Sequence, residues 1–280
     1  AGSATVDGEA GSNYNITATG GDAYCIGVSD SGNVLDYGKV NNVTVKATKG
    51  NAYGFAATSG GKLSGDFANG VSSVSVTADT DEYNMSYNYG VYASDGAVKG
   101  LSIDKLTVQT AGYGGNGVKI IDSSADMAVG SLTVNSDQNS VGVDAAGSDV
   151  NLALGDLKAA STYNDAYGVV AQSSQQSTNA NLVFTGAKAL TVSADNGSSY
   201  GVKASESSTV SGDAQSLTVS GKYDATGIRA EYNSKVQLAL NGGMKVTSAN
   251  GAASGIDLNS TNASSVNISD DLTVSGVTGD

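Results

Sequence analysis

Apolar and polar residues alternate over short runs, and the same runs return along the whole chain. The string Tyr-Gly-Val-x-Ala appears as YGFAA from Tyr53, YGVYA from Tyr89, YGVVA from Tyr167 and YGVKA from Tyr200. Weaker copies begin at Ile26, Asn116, Val141, Thr226 and Ser254. Aligned on these copies, a glycine column runs Gly27, Gly54, Gly90, Gly117, Gly142, Gly168, Gly201, Gly227, Gly255. The next column is always apolar, from Val28 and Phe55 to Ile256. A second string, VTV from Val43, VSV from Val74 and LTV from Leu106, Leu132, Leu190, Leu217 and Leu272, follows each copy. LKA from Leu157 and MKV from Met244 are its variants. The unit returns every roughly 28 residues, which marks a repeat architecture.

Alternation with period two is strand spacing. In YGVxA the first, third and fifth residues are expected on one face, so that Val91 and Ala93 point inward. The fourth residue, as in Lys119, Asp144, Lys203, Arg229 and Asp257, is expected outward. The outer two residues of LTV point in and its Thr points out. A third, shorter strand lies between the two strings, clearest as VNLAL at 150–154 and VQLAL at 236–240. Clusters of Gly, Asn, Asp and Ser separate the strands and supply tight turns.

Three short strands cannot bury their apolar faces alone, whereas stacked copies create a continuous core. The expected fold is therefore all-β: a single parallel β-solenoid, right-handed by the crossover rule, of about nine coils of roughly 25–36 residues. It occupies 24–280, with 1–23 as a partial N-terminal coil. At about 4.8 Å per coil the rod is roughly 43 Å long. An array of antiparallel hairpins, suggested by Asn-Gly at 69, 196, 241 and 250, would not require one residue type in one column nine times. The next glycine of the array would fall just past Asp280, so the chain is expected to be a segment of something longer.

Composition narrows the chemistry. The 280 residues include 38 Gly, no Pro, no His, no Trp and one Cys. Absence of Pro suits coils that must all donate ladder hydrogen bonds. Without His there is no Ser-His-Asp or Cys-His catalysis, and Cys25 alone makes neither an ordinary zinc site nor an internal disulfide. Fourteen Lys and Arg against 27 Asp and Glu leave a net charge of −13, which repels a nucleic-acid backbone. No run approaches the roughly 18 apolar residues of a membrane span, so no membrane insertion by this segment is expected. No charged-then-apolar leader opens the chain, which implies a removed leader or an excised segment.

Repeated YG[VI]xA with [LV]TV, Gly/Asn/Ser-rich turns, acidic charge and scarce Cys resemble the passenger domains of autotransporters of Gram-negative bacteria. The resemblance covers about residues 14 to 280. It implies a solenoid displayed outside the cell, anchored in the outer membrane through a part not present here, and acting as an adhesin or aggregation factor. Its partners would be host or bacterial surface glycans or proteins, or other copies of itself. No functional residue of the family carries over, and a secreted or surface-layer solenoid of another lineage is the alternative.

Several strings compete for a site. GYGGNG at 112–117 has the glycine spacing of a dinucleotide loop, but a strand-like VKII follows where that loop needs a helix. Lys119 with Asp144, and Arg229 with Asp257, read as cross-strand ion pairs that set register rather than as catalysts. Outward Thr-Val-Ser columns resemble an ice-binding face, but Lys46, Lys158 and Lys245 interrupt it. The strongest candidate is the long turn between Val76 and Gly90, TADTDEYNMSYNY. It carries Asp79, Asp81, Glu82, Tyr83 and Tyr87, with Tyr92 and Tyr113 expected beside it. Tyrosine rings suit sugar or protein contact, and the carboxylates could hold Ca²⁺. Residues 172–187 form a second, Gln/Ser-rich insertion. The expected function is a non-catalytic adhesin or self-association module working through its lateral surface and turns. A polysaccharide-degrading β-helix enzyme and a structural stalk are the alternatives.

Overall fold

Valines and leucines at every second position of short strands leave water only by packing against the same residues of a neighbouring coil. In a computed structural model they do so. It describes residues 4–6, 12–19, 21–30, 34–37, 40–65, 70–78, 86–177, 179–259 and 262–279. Among these there is no helix, and the strands stack in parallel as a β-solenoid of about 9 turns.

Two hydrogen-bonded sheets wrap the core. The smaller, of ten described strands, carries the YGVxA copies, among them Ala52–Thr58, Tyr87–Ser94, Gly114–Ile121, Asn139–Ala146, Ala166–Gln172 and Ser199–Ala204. The larger sheet, of fifteen, carries the LTV strings. Here the expectation of three separate strands needs amending. In the middle coils the third strand and the LTV strand run together as Ala97–Thr110, Ser124–Ser136, Asp149–Ser161, Asn181–Ala194 and Thr209–Gly221. The corner between them is absorbed inside a strand. At Gly100 (φ +69°) and Gly186 (φ +76°) one extra residue enters the ladder, a bulge whose left-handed backbone suits glycine. Toward the ends the two runs separate again, as in Lys62–Ser64 with Val71–Ala78 and Lys235–Leu240 with Met244–Ser248.

Identical columns meet in register. Val43, Val74, Leu106, Leu132, Leu157, Leu190, Leu217 and Met244 form one buried ladder, and Phe55, Val91, Val118, Val143, Val169, Val202 and Ile228 the facing one. Each such side chain contributes about 1.5–3 kcal/mol on leaving water. Facing them outward on the larger sheet are Thr44, Ser75, Thr107, Thr133, Lys158, Thr191, Thr218, Lys245 and Thr273.

Buried hydroxyls tie the corners coil to coil. The Gly96 amide donates to Ser123 Oγ (2.9 Å), the Ser123 amide to Ser148 Oγ (3.1 Å), the Ala180 amide to Ser208 Oγ (2.9 Å) and the Ser208 amide to Ser234 Oγ (3.2 Å). At the other end of the YGVxA strands the acceptors are carboxamides and carboxylates. Asn51 Oδ1 accepts from the Tyr87 amide (2.7 Å) and Asp165 Oδ1 from the Ser198 amide (2.9 Å). Backbone donors that a turn would orphan are thus satisfied by the adjacent coil.

The glycine column has a steric cause. A Cβ on Gly142 would sit 2.6 Å from the Gly168 carbonyl oxygen and 2.7 Å from Leu157 Cδ1; Gly90 and Gly117 meet the same pair of obstacles. From Gly54 to Gly227 only hydrogen fits where the smaller sheet passes over the inward ladder of the larger one. This corrects the first member of the column. Tyr24 pairs with Tyr53, Ile26 with Phe55, and Gly27 with Ala56, so Cys25 occupies the glycine seat. Gly27 faces solvent instead, and a Cβ there would meet only Tyr24 side-chain atoms at 3.7–4.0 Å. Gly142→Ala should therefore cost about 1–3 kcal/mol in urea unfolding, whereas Gly27→Ala should stay within about 0.5 kcal/mol of the parent. Equal effects would refute the register.

Candidate functional site

Strict alternation would put the tyrosine of YGVxA in the core with Val and Ala. It lies outside, because the glycine and the valine after it both face inward and the alternation skips a beat. Gly90, Val91 and Ala93 are buried, while Tyr89 and Tyr92 share the outward face with ring centroids 4.8 Å apart. Val91 and Ala93 thus lie as expected, and the first position is corrected.

The outward face of the smaller sheet therefore carries a column of Tyr24, Tyr53, Tyr89, Asn116, Val141, Tyr167, Tyr200, Thr226 and Ser254. The coil height is close to an aromatic stacking distance, so tyrosines on successive coils stack. Tyr24 and Tyr53 lie 4.3 Å apart and 2° from parallel, Tyr53 and Tyr89 5.0 Å apart, and Tyr167 and Tyr200 5.1 Å apart at 12°. Tyr92 packs against Tyr53 (5.6 Å), and Tyr87 bridges Tyr89 (6.3 Å) and Tyr113 (5.5 Å). Six rings make one connected patch.

Of the candidate site residues, Tyr87, Tyr92 and Tyr113 lie in this patch. Asp79, Asp81, Glu82 and Tyr83 fall outside the described residues. Tyr24, Tyr89, Tyr167 and Tyr200, and Tyr53 buried between its stacking neighbours, were missed as residues of the outward face. A signal for them existed, since a column that also holds Asn116, Thr226 and Ser254 is too polar for a core ladder. Stacking also changes what these rings can do. Within each stack the faces are spent on neighbouring rings, and solvent meets mostly edges and hydroxyls.

Burial pushes the Tyr53, Tyr89 and Tyr167 hydroxyls well above the ordinary tyrosine range, reinforced by neighbouring tyrosines and, at Tyr167, by Asp165. Tyr24 and Tyr200 move the same way, also mainly through burial. Burial likewise pushes the Cys25 thiol up to about 11.

Beside the tyrosines runs the charged column. Lys119 Nζ lies 3.0 Å from Asp144 Oδ2, and Arg229 Nε 3.5 Å from Asp257 Oδ2, the two pairs expected from spacing. Glu231 adds a third partner, 2.7 Å from Lys203 and 2.8 Å from Arg229. Lys203 and Arg229 also stand over the Tyr200 ring, 5.8 and 5.9 Å from its centroid. Asp144 is only 4% exposed and accepts a further bond from Gln172 Nε2 (2.9 Å).

Between Tyr89 and Tyr167 the ladder is interrupted, with Asn116 and Val141 in the two intervening seats. A hollow of about 160 Å³ lies against Tyr167, over the coils of Val141, Tyr167 and Lys203, lined by these three with Asp144, Val170 and Gln172. A larger, polar hollow of about 300 Å³ lies over the turns near Thr110, Ser136, Asp137, Thr162 and Asp195. No protein-family model, curated protein or solved structure matches the chain. Among the described residues, no three Cys, Asp or Glu side chains converge as metal ligands.

The raised tyrosines make alkaline stability a readout of the stacks. Their folded pKa values lie above the roughly 10 of a free tyrosine, so their contribution is full below pH 10 and is lost as pH rises through the folded values. Near-UV titration of tyrosinate should show Tyr24, Tyr53, Tyr89, Tyr167 and Tyr200 ionising last, together with unfolding. Ionisation of all 14 tyrosines in one step near pH 10, with the fold intact, would contradict the stacked arrangement.

Proposed function

We propose that this chain is the binding rod of an extracellular, surface-displayed adhesin that holds glycans on the outward face of its smaller sheet without cleaving them. The observation that carries the reading is the segregation of side chains between faces. The tyrosine ladder and its flanking ion pairs share one outward face, while the LTV strands present a column of Ser, Thr and Lys. Aromatic edges, hydroxyls and fixed charges over an apolar floor suit a sugar, which offers both C–H faces and hydroxyls.

A binding role is favoured over a catalytic one by the pairing of this face's carboxylates. Asp144 is held by Lys119, Glu231 by Lys203 and Arg229, and Asp257 by Arg229. Carboxylates paired in this way with cations of their own face set the register of neighbouring coils. Display outside the cell, and anchoring through a part beyond this chain, follow from the resemblance of the repeats to autotransporter passengers.

The test is a panel of immobilised glycans and matrix proteins, scored for retention and for cleavage. Intact glycan should be retained. Tyr89→Thr and Tyr200→Thr should weaken retention several-fold, and Thr133→Ser on the other sheet should not. Shortened glycan, or retention indifferent to the tyrosine substitutions, would overturn the reading.

A further inference from the structure

The break in the tyrosine ladder is where a ligand ring fits. Tyr167 stacks on Tyr200 through one face, and its other face looks toward the coil of Val141, where the column carries no ring. The seat beside Tyr167 holds Val141, whereas Asn116 in the next seat is only 4% exposed, so the open place is the one over Val141. The hollow against Tyr167 has an apolar floor in Val141 and Val170 and a polar wall in Asp144, Gln172 and Lys203. Asp144 is buried, yet each of its carboxylate oxygens accepts one bond from the protein side chains around it, Oδ2 from Lys119 and Oδ1 from Gln172. Each oxygen retains a second acceptor site.

We infer that this gap is a subsite for one neutral hexopyranose, stacked on Tyr167 with its hydroxyls donating to Asp144. The inference rests on the glycan-binding reading above and names the place and the sugar class. Neutrality follows from charge. Lys119, Lys203 and Arg229 are matched by Asp144, Glu231 and Asp257, so the face offers no spare cation to an acidic sugar, and the chain as a whole carries −13. Orientation follows from stacking. The tyrosine planes lie across the rod, so a sugar on Tyr167 enters edge-on and a linear polymer cannot continue along the axis through it. The subsite reads a terminal or branching residue.

The ladder itself supplies the decisive variant. Val141→Tyr places in the vacant seat the residue that its column carries at five other coils, so the fold can accept it while the gap fills. Tyr167→Thr removes the platform and copies Thr226 of the same column. Binding of methyl glycopyranosides of glucose, galactose, mannose and N-acetylglucosamine is measured by saturation-transfer NMR, with thermal melting as the folding check. Wild type should bind at least one of them, and both variants should lose at least about tenfold in affinity while melting as cooperatively as the parent. Wild-type binding with Val141→Tyr unaffected would overturn the subsite and leave the glycan reading standing. Absence of sugar binding by the wild type, in this assay and on the glycan panel, would overturn both. Tighter binding of methyl glucuronoside, measured in the same way, would overturn the neutral-sugar assignment.

Discussion

The glycine of one coil meets the glycine carbonyl of the next over the inward ladder of the larger sheet so closely that, from Gly54 to Gly227, an added Cβ would lie only 2.4–2.6 Å from that oxygen. Because no Cβ fits there, glycine returns at seven successive coils from Gly54 to Gly227. Because glycine turns inward together with the valine that follows it, the tyrosine before it is sent to the surface. The core, the position of the aromatic ladder and the spacing of the ion pairs all follow from that one packing contact. Stacking then multiplies it, since each coil is satisfied only by its neighbours, through ladder hydrogen bonds and through serines such as Ser148 and Ser208 at the corners.

The surface inherits the period of the core. Ring-on-ring distances of 4.3–5.1 Å are within reach because coils repeat at nearly that height, and Lys119 meets Asp144 because both follow the inward valine of adjacent coils. A rod of this kind gains a functional feature most cheaply by altering one seat in a column. Val141, placed beside Tyr167 in a column that carries tyrosine at five other coils, opens a hollow with an aromatic wall without disturbing the ladders beneath.

Much of this was legible in the residues. The parallel solenoid, the inward Val and Leu columns, the outward Thr column and the Lys119–Asp144 and Arg229–Asp257 pairs follow from recurrence and spacing. The side of the sheet taken by Tyr89 does not, because period-two counting cannot register a glycine that breaks the pleat. The first coil misleads for a related reason. IGV at 26–28 copies the motif locally, while pairing along the whole strand seats Cys25 in the glycine column. The fusion of two strand runs in the middle coils was also hidden, since it depends on bulges at Gly100 and Gly186 that look like ordinary turn glycines. Of the candidate turn, Tyr87 joins the aromatic patch through Tyr89 of its own strand and Tyr113 of the next coil, while Tyr24 and Tyr53 of two earlier coils are brought to it only by stacking, which no local window shows.

The most direct test of the account is an NMR measurement of which protons the tyrosine rings touch. Ring-to-ring nuclear Overhauser contacts are expected between Tyr53 and Tyr89 and between Tyr167 and Tyr200, and none is expected from these rings to the leucine methyls of the core ladder. Strong contacts from Tyr89 to the Leu106 methyls, with no contact to Tyr53, would place the column inside and contradict the account.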